Sequence, residues 1–393
     1  MTSEKFFRAR FFSAALALIM TIGFTGCTNG TGDESSSNSS ETSGGEEYIE
    51  PHKVGYIFRE SVENDSFAAQ LAQQRERASN RSSVDTCYID NVTLTDFEGA
   101  VKALADAGCT DIVSCSPTYA NVLAPVAKKY LNLNFISFGA LNDGINVSAY
   151  SESLYQGAYI AGFVAEFNSK SKKLGIVADP GLPSVYAVAN AVELGAQLNQ
   201  DGGAEVFAAA AETDKEIEKA VDALIAQGSD IIICYTNSNH AADYCQSKGV
   251  KFIGCLDYSD RENQYTNMLM YFYSRRDSYF LAQFKSMKMG TWETSAYIGD
   301  MSNGVVNVSA ALSAADGTQK LIDAILPPIT SGRARVFKGP LKDTNNDVKY
   351  LETDEMTDYE INNMNWYVHG VTPIGDFRER KTDITPNTFE IKF

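Results

Sequence analysis

Residues 95–116, TDFEGAVKALADAGCTDIVSCS, combine an amphipathic helix with a short apolar strand. Phe97 and Val101 fall on one face of the helix, and Gly108 is typical of the residue that follows a helix end. The apolar run that begins at Ile112 is typical of a strand buried on both faces of a parallel sheet. This stretch therefore predicts one helix–strand unit of an α/β protein.

Residues 216–236, EIEKAVDALIAQGSDIIICYT, repeat the same features in the same order. Ile217 and Val221 take the apolar face, Gly228 takes the place of the helix stop, and Ile231 begins the strand. Two amphipathic helices often look alike by chance. A match of helix, glycine, aspartate and strand in the same order is rarer. We therefore expect one α/β plan to be used twice, by structural duplication.

Strand–helix alternation extends over most of the chain, so we expect parallel sheets covered by helices on both faces. The predicted fold class is α/β, with two doubly wound lobes and a ligand cleft between them. The expected segments are residues 51–150 with about 264–292 for the N-terminal lobe, and residues 151–263 with about 293–393 for the C-terminal lobe. The turn at residues 302–304, Ser-Asn-Gly, also predicts an antiparallel pair formed by residues 296–298 and 304–309.

The 393-residue chain carries a formal net charge of −17, and 44% of its residues are hydrophobic. This length suits two domains, and the hydrophobic content is ordinary for a globular protein. A nucleic-acid-binding surface requires a basic patch, and none is visible in the sequence. The composition therefore argues against nucleic acid as a partner and leaves the ligand open.

The N-terminus has the features of an export signal, with positive residues followed by a short apolar run over residues 11–24. The sequence FTGC at residues 24–27 resembles a bacterial lipobox, although a phenylalanine replaces the usual aliphatic residue. We therefore expect a lipoprotein signal peptide over residues 1–26 and a lipid on Cys27. Residues 27–50 are mainly Ser, Gly, Thr and Glu, which predicts a flexible linker. A plain secretory signal with an incidental cysteine is the alternative.

The remaining cysteines are Cys87, Cys109, Cys115, Cys234, Cys245 and Cys255. No C-x-x-C motif is present and the chain has 3 His, so we expect no metal and no cofactor. Because Cys115 and Cys234 hold equivalent places in predicted core strands, we expect mostly free thiols. G-x-S-x-G, H-E-x-x-H and Walker motifs are absent from the sequence, which argues against an enzyme.

The loops that follow the strands form the candidate site, because open α/β sheets bind ligands beyond the carboxyl ends of their strands. Phe67 begins a helix beside the expected cleft, and the residues alone leave open whether it packs in the core or serves as a stacking platform. Polar side chains in the other loops suit hydrogen bonding to a polar ligand, and they equally suit helix caps or solvated loops. The candidate ligand-binding residues are Asp65, Ser66, Phe67, Ser116, Tyr119, Tyr186, Thr236, Asn237 and Asp257.

Several segments, taken in order, resemble the basic membrane protein (Bmp) family of substrate-binding lipoproteins, which serve ABC importers. The segments are residues 54–57 (VGYI), 64–67 (NDSF), 155–162 (YQGAYIAG), 173–178 (KLGIVA), 253–254 (IG), 303–306 (NGVV), 331–343 (SGRARVFKGPLKD) and 364–367 (MNWY). The resemblance covers about residues 53–371, which is nearly all of the expected folded part. The best understood members of this family bind purine or other nucleosides.

The resemblance implies a two-lobed, periplasmic-binding-protein type I-like fold that closes on its ligand, with Phe67 stacked on a base. Two positions depart from the family pattern: Ala68 stands where Asn is frequent, and Leu256 stands where Asp or Asn is found. Asp257 is then the nearby carboxylate that would hold a ribose hydroxyl. These departures indicate a specificity shifted toward another nucleoside or a free base.

The leading hypothesis is a monomeric, lipid-anchored receptor on the extracytoplasmic face of the cell membrane. It would pass a nucleoside-like solute to an ABC permease and its ATPase, without catalysis and without a cofactor. A receptor for another small polar solute, such as a sugar, is one alternative. A ligand-sensing module without transport is the other.

Overall fold

The computed structural model of the protein describes residues 52–139, 144–182, 184–199, 203–375 and 389–393. The predicted signal peptide, Cys27 and the predicted linker lie outside these described residues. The elements described below belong to one compact unit, residues 49–393. No helix within the described ranges is long and apolar enough to span a bilayer.

The first sheet has six strands, and every neighbouring pair is parallel. The strands are β1 (Lys53–Ile57), β2 (Asp85–Ile89), β3 (Asp111–Ser114), β4 (Asn134–Phe138), β5 (Val147–Glu152) and β11 (Ala296–Gly299). Their spatial order is β11-β5-β4-β3-β1-β2. Because helices cover both faces, nearly every residue of the central strands is buried, as in β3 and β4.

The second sheet has seven strands and is parallel except at one edge, where β12 runs antiparallel. The strands are β6 (Lys173–Ala178), β7 (Glu205–Ala210), β8 (Ile231–Tyr235), β9 (Lys251–Gly254), β10 (Met268–Ser274), β12 (Val306–Val308) and β15 (Val371–Ile374). Their spatial order is β12-β10-β9-β8-β6-β7-β15. A separate two-stranded ribbon is formed by β13 (Leu341–Lys342) and β14 (Val348–Tyr350).

The helices divide between the two sheets. Those packed with the first sheet are α1 (Ser66–Ser82), α2 (Phe97–Asp106), α3 (Ala120–Ala127) and α8 (Asp277–Lys288). Those packed with the second sheet are α4 (Tyr155–Asn168), α5 (Val185–Ala196), α6 (Asp214–Ala226), α7 (His240–Lys248), α9 (Thr318–Thr330) and the short α10 (Asp358–Asn362). Each lobe therefore has its own apolar core.

The duplication predicted from the repeated stretch is visible in the sheet topology. The order β2-β1-β3-β4-β5 in the first sheet corresponds to β7-β6-β8-β9-β10 in the second. The two predicted helix stops also correspond, since Gly108 (φ +86°) and Gly228 (φ +95°) both adopt the left-handed backbone conformation. The repeated helix–strand units therefore hold the same place in each lobe.

Two features of the predicted lobe division differ from the structure. The strand β10 belongs to the second sheet, where it pairs with β9, although the first lobe was expected to resume at about residue 264. The strand β11 belongs to the first sheet, where it pairs in parallel with β5. The predicted antiparallel pair is therefore wrong, because β11 and β12 lie in different sheets. The turn at residues 302–304 reverses the chain while it crosses between the lobes.

The C-terminal part of the chain completes the second lobe. The strand β15 adds to the sheet beside β7. The buried amide of Asn190 in α5 holds the preceding segment, because Nδ2 donates to the Trp366 carbonyl at 2.9 Å and Oδ1 accepts from the Val368 N–H at 2.9 Å. This pair of hydrogen bonds fixes the approach of the chain to the edge of the sheet.

Candidate functional site

A cavity of about 660 Å³ lies between the carboxyl ends of the two sheets. Its walls come from the segments after β1, β3 and β4 in one lobe and after β6, β7, β8 and β9 in the other. This is the edge at which open α/β sheets bind ligands. Its size is within the range of cavities that enclose small organic molecules.

The predicted residues that line this cavity are Asp65, Phe67, Ser116, Thr236 and Asn237. The hydroxyl of Ser116 accepts from the backbone N–H of Thr118, so it also caps a 3₁₀ turn. The buried Thr236 hydroxyl donates to the Ser238 carbonyl at 2.9 Å. The cleft is therefore lined by polar groups from both lobes, some of which also stabilise their own loops.

Two of the predicted residues, Tyr119 and Tyr186, do not line the cavity. Tyr119 is fully buried in the first lobe, where its hydroxyl donates to the Val92 carbonyl at 2.5 Å and its ring packs on Phe97. Tyr186 packs against Tyr367, with ring centroids 4.9 Å apart. The Tyr119 side chain therefore points into the protein interior, and the Tyr186 ring packs on the C-terminal segment.

The predicted residues Ser66 and Asp257 also lie outside this cavity, and both join the two lobes. The Ser66 hydroxyl accepts from the backbone N–H of Asn239 at 3.1 Å. The Gln70 amide donates to the Asp257 carbonyl at 2.9 Å and accepts from the Asp257 N–H at 3.0 Å. The Asp257 carboxylate lies 3.6 Å from the guanidinium of Arg275. These contacts attach α1 of the first lobe to loops of the second.

Phe67 lies between the cavity and the apolar cores of the two lobes. Its ring lines the cavity and also packs against the apolar cores of both lobes. Asp65 fixes its position by capping α1, since its Oδ1 accepts from the Ala68 N–H at 2.7 Å. The Phe67 N–H donates across the cleft to the Asn237 carbonyl at 3.0 Å. An aromatic ring is thus held rigidly where the two lobes meet.

A buried ion pair that the sequence-based reasoning missed lies beside Phe67. Arg276 contacts Glu152 through Nε–Oε1 at 2.5 Å and Nη2–Oε2 at 2.8 Å, and both residues line the cavity. Glu152 also accepts from the hydroxyls of Tyr150 (2.6 Å) and Ser274 (2.7 Å). The available signal was the position of Arg276 two residues after the apolar strand β10, where a buried charge requires a partner.

The cavity also brings together carboxyl groups from the two lobes. Burial raises the pKa of Asp65 to about 7, and the nearby charges of Glu60 and Asp179 add to the effect. Burial likewise raises the pKa of Asp179 to about 6, with further contributions from Glu212 and Glu60. Both carboxyl groups therefore hold their protons more tightly than ordinary aspartates, and both face a cavity that suits hydrogen-bond donors.

The two residues that depart from the family pattern both line the cavity. Ala68 is buried directly after Phe67, and Leu256 is buried after β9. Each presents apolar surface where the pattern has a polar side chain. The cavity therefore has fewer polar contacts on these two walls than the resemblance implied.

The described part of the chain contains no cluster of His, Cys, Asp and Glu that could hold a metal ion. No histidine in those ranges lines the cavity. His52 contacts Asp111 at 2.9 Å and His240 contacts Glu218 at 3.1 Å, both outside it. The described residues that line the cleft carry aromatic rings, hydrogen-bonding groups and charges.

Comparison with solved structures supports the fold. An ABC transporter solute-binding protein from Conexibacter woesei matches with a TM-score of 0.60 at 18% identity, covering 72% of this chain and 98% of its own. A solute-binding protein of the same transporter class from Aeropyrum pernix K1 matches with a TM-score of 0.62 at 17% identity, covering 75% and 93%. The predicted two-lobed, periplasmic-binding-protein type I-like fold class is confirmed.

Sequence comparison identifies the family. A purine-binding protein from Brucella abortus is 28% identical over 328 residues, which is 81% of this chain and 92% of the relative. The profile of the Bmp family, described as ABC transporter substrate-binding protein PnrA-like, matches residues 51–254. Because that match covers more than half of the sequence, the chain belongs to the Bmp family of ABC transporter substrate-binding proteins.

Proposed function

We propose that this substrate-binding protein takes a nucleoside-like solute into the cavity between its lobes. The observation that carries the proposal is the aromatic ring of Phe67, held at the cleft among polar side chains from both lobes. Stacking of a base on an aromatic side chain contributes about 1–3 kcal/mol. The name of the Brucella relative, a purine-binding protein, supports the same class of ligand.

The predicted residues that line the cavity, and the two positions that depart from the family pattern, each have a role in this proposal. Phe67 stacks on the base, while Ser116, Thr236 and Asn237 exchange hydrogen bonds with its polar edges or with the sugar. Asp65, in its ionised form, accepts from a ligand hydroxyl or amine. The apolar Ala68 and Leu256 favour a ligand with few polar groups on those two walls, such as an altered nucleoside or a free base.

The proposed mechanism is closure of the two lobes. A ligand favours the closed state only through contacts that it makes in that state and loses in the open one. The contacts of Ser66 with Asn239 and of Gln70 with Asp257 join the lobes directly. The ligand adds contacts to Phe67 on one side and to Thr236 on the other. The closed form is then the one presented to the ABC permease and its ATPase.

We also propose that the protein is monomeric and is tethered to the extracytoplasmic face of the membrane. Cys27 would carry the lipid, and residues 27–50 would form the tether. Both lie outside the described residues, so this part of the proposal rests on the sequence alone. Metabolic labelling with a radioactive fatty acid tests it: Cys27→Ala should abolish incorporation, and unchanged labelling would contradict it.

The test of the ligand is calorimetric titration of the Phe67→Ala variant with purine nucleosides. We expect affinity to fall by about 5- to 150-fold, the equivalent of 1–3 kcal/mol. Phe167→Ala is the matched control, because Phe167 is 40% exposed and does not line the cavity. Equal affinities of the two variants, with both proteins folded, would show that the stacking role is wrong.

A sugar is the second candidate, because carboxyl groups such as those of Asp65 and Asp179 also accept from sugar hydroxyls. Ribose and glucose belong in the same titration. Tight binding of either sugar with no binding of nucleosides would favour this candidate. A neighbouring gene pair for a permease and an ATPase would favour transport over a sensing role.

A further inference from the structure

The ion pair between Arg276 and Glu152 occupies an unusual place in the fold. Glu152 ends β5 just before the chain passes to the second lobe, and Arg276 lies between β10 and α8, where the chain returns to the first. Both side chains are nearly buried, with 7% exposure for Arg276 and 12% for Glu152. The pair therefore ties two of the interlobe connections together at the wall of the cavity.

The pairing uses only part of the hydrogen-bonding capacity of Arg276. A guanidinium carries five N–H donors in a planar fork. Glu152 faces the edge formed by Nε and Nη2, where Nη2 donates to Oε2 at 2.8 Å, while Nε lies close to Oε1 as an ion pair and is buried without a hydrogen bond. Among the described residues, Nη2 is the one side-chain nitrogen of Arg276 that donates a hydrogen bond, although the side chain lines the cavity. A buried cation thus keeps unpartnered donors at the ligand site, and a ligand with acceptor atoms would satisfy them.

Arg276 also lies beside the stacking surface. Its guanidinium carbon is 5.1 Å from the centroid of the Phe67 ring and 5.9 Å from that of Phe138. The guanidinium therefore lies over the Phe67 ring at the wall of the cavity. A base that stacks on aromatic surface beside it would present one edge to the guanidinium.

We propose that Arg276 recognises the acceptor edge of the bound base and makes the cleft selective for 6-oxopurines over 6-aminopurines. The inference rests on the proposed nucleoside function and adds the base preference. Arginine pairs with the O6 and N7 acceptors of a 6-oxopurine, whereas a 6-aminopurine turns a donor toward it. Because Glu152 already compensates the charge of Arg276, the acceptor need not be an anion. Glu152 is a positioning residue that orients the guanidinium.

The first test changes the ligand and leaves the protein intact. Position 6 of the base carries an acceptor in inosine, a hydrogen in purine riboside and a donor in adenosine. Titration calorimetry of the purified protein should place their affinities in that order, with inosine about 5- to 150-fold tighter than adenosine. 7-Deazainosine, which lacks the N7 acceptor, should bind more weakly than inosine.

The second test reverses the preference. Glutamine pairs with the N6 and N7 groups of adenine. The double variant Arg276→Gln with Glu152→Gln replaces the ion pair by two amides, so no buried charge is left unpaired. We expect it to bind adenosine at least as tightly as inosine. Glu152→Gln alone keeps the guanidinium and loosens its orientation, so it should weaken inosine more than adenosine.

The outcomes separate this inference from the proposed function. Adenosine binding as tightly as inosine to the unaltered protein would overturn the role of Arg276 and leave nucleoside binding standing. A folded double variant that still prefers inosine would also overturn it. Failure of all four ligands to bind would overturn both the inference and the proposed function.

Discussion

Replacing Asp65 with Asn should change how the stability of the unliganded protein depends on pH. The pKa of Asp65 is raised from 3.8 to about 7, mainly by burial. A carboxyl group with a raised pKa binds its proton more tightly in the folded state than in the unfolded state. Folding therefore takes up a proton between about pH 4 and pH 7, and stability is lost as pH rises through that range.

The magnitude follows from the two pKa values of Asp65. One pKa unit corresponds to about 1.4 kcal/mol, so complete ionisation of Asp65 lowers the free energy of unfolding by roughly 4 kcal/mol. Between pH 5 and pH 8, ionisation of Asp65 lowers the free energy of unfolding by about 2.5 kcal/mol. Asp179, whose pKa is about 6, adds roughly 1.5 kcal/mol over the same interval. Other buried carboxyl groups such as Glu193, whose pKa is also raised to about 7, titrate in both proteins, so the predicted quantity is the difference: Asp65→Asn should lose about 2.5 kcal/mol less than the unaltered protein between pH 5 and pH 8.

The assay is urea denaturation of the unliganded protein at pH 5 and pH 8. Asn caps helices as well as Asp does, so Asp65→Asn preserves the start of α1 while it removes the titrating group. Asp316→Asn is the matched control, since Asp316 is exposed. An identical loss of stability in Asp65→Asn and in the unaltered protein would refute the assigned burial of charge at the cleft.

Three further predictions concern the cleft and the C-terminal segment. Gln70→Ala removes two hydrogen bonds that join the lobes, so the lobes should open and the radius of gyration measured by solution X-ray scattering should increase. Gln73→Ala, at an exposed position on the same helix, is the control, and equal radii for the two variants would contradict the prediction. Asn190→Ala leaves the Val368 N–H and the Trp366 carbonyl without their partner, and we expect a loss of about 2–3 kcal/mol in urea denaturation; a loss below about 0.5 kcal/mol would refute the anchoring role. Nucleoside groups that donate to Asp65 or Asp179 favour the ionised carboxyl, so the affinity for a nucleoside should rise from pH 5 to pH 7.5, and binding should release protons. Because the buffer takes up those protons, the binding heat should depend on the buffer, and a binding heat that is the same in all buffers would contradict the prediction.

Local periodicity was sufficient to predict most of the fold. The two repeated stretches predicted α2 with β3 and α6 with β8 within about two residues, because apolar spacing and terminal glycines are local signals. The assignment of β10 and β11 was not predictable in this way. Sheet membership depends on which strand lies alongside, and a turn such as residues 302–304 reverses the chain whether or not its flanking strands pair.

The candidate site was predicted to the level of loops and only partly to the level of side chains. Asp65, Phe67 and Thr236 follow strand ends directly or begin a helix, so the carboxyl edge of the sheet places them in the cleft. Tyr119 is the last residue of its 3₁₀ turn, and its side chain points into the core. Arg276 was missed because its partner Glu152 is distant in the sequence, and no periodicity connects the two.

The most direct test of nucleoside binding is calorimetric titration of the purified protein with purine nucleosides, pyrimidine nucleosides, free bases and ribose. We predict tight binding of a purine nucleoside or purine base and weak binding of ribose, because the proposed contact is stacking of the base on Phe67. Tight binding of ribose with no binding of any base or nucleoside would contradict the proposed function and leave the fold and the family unchanged.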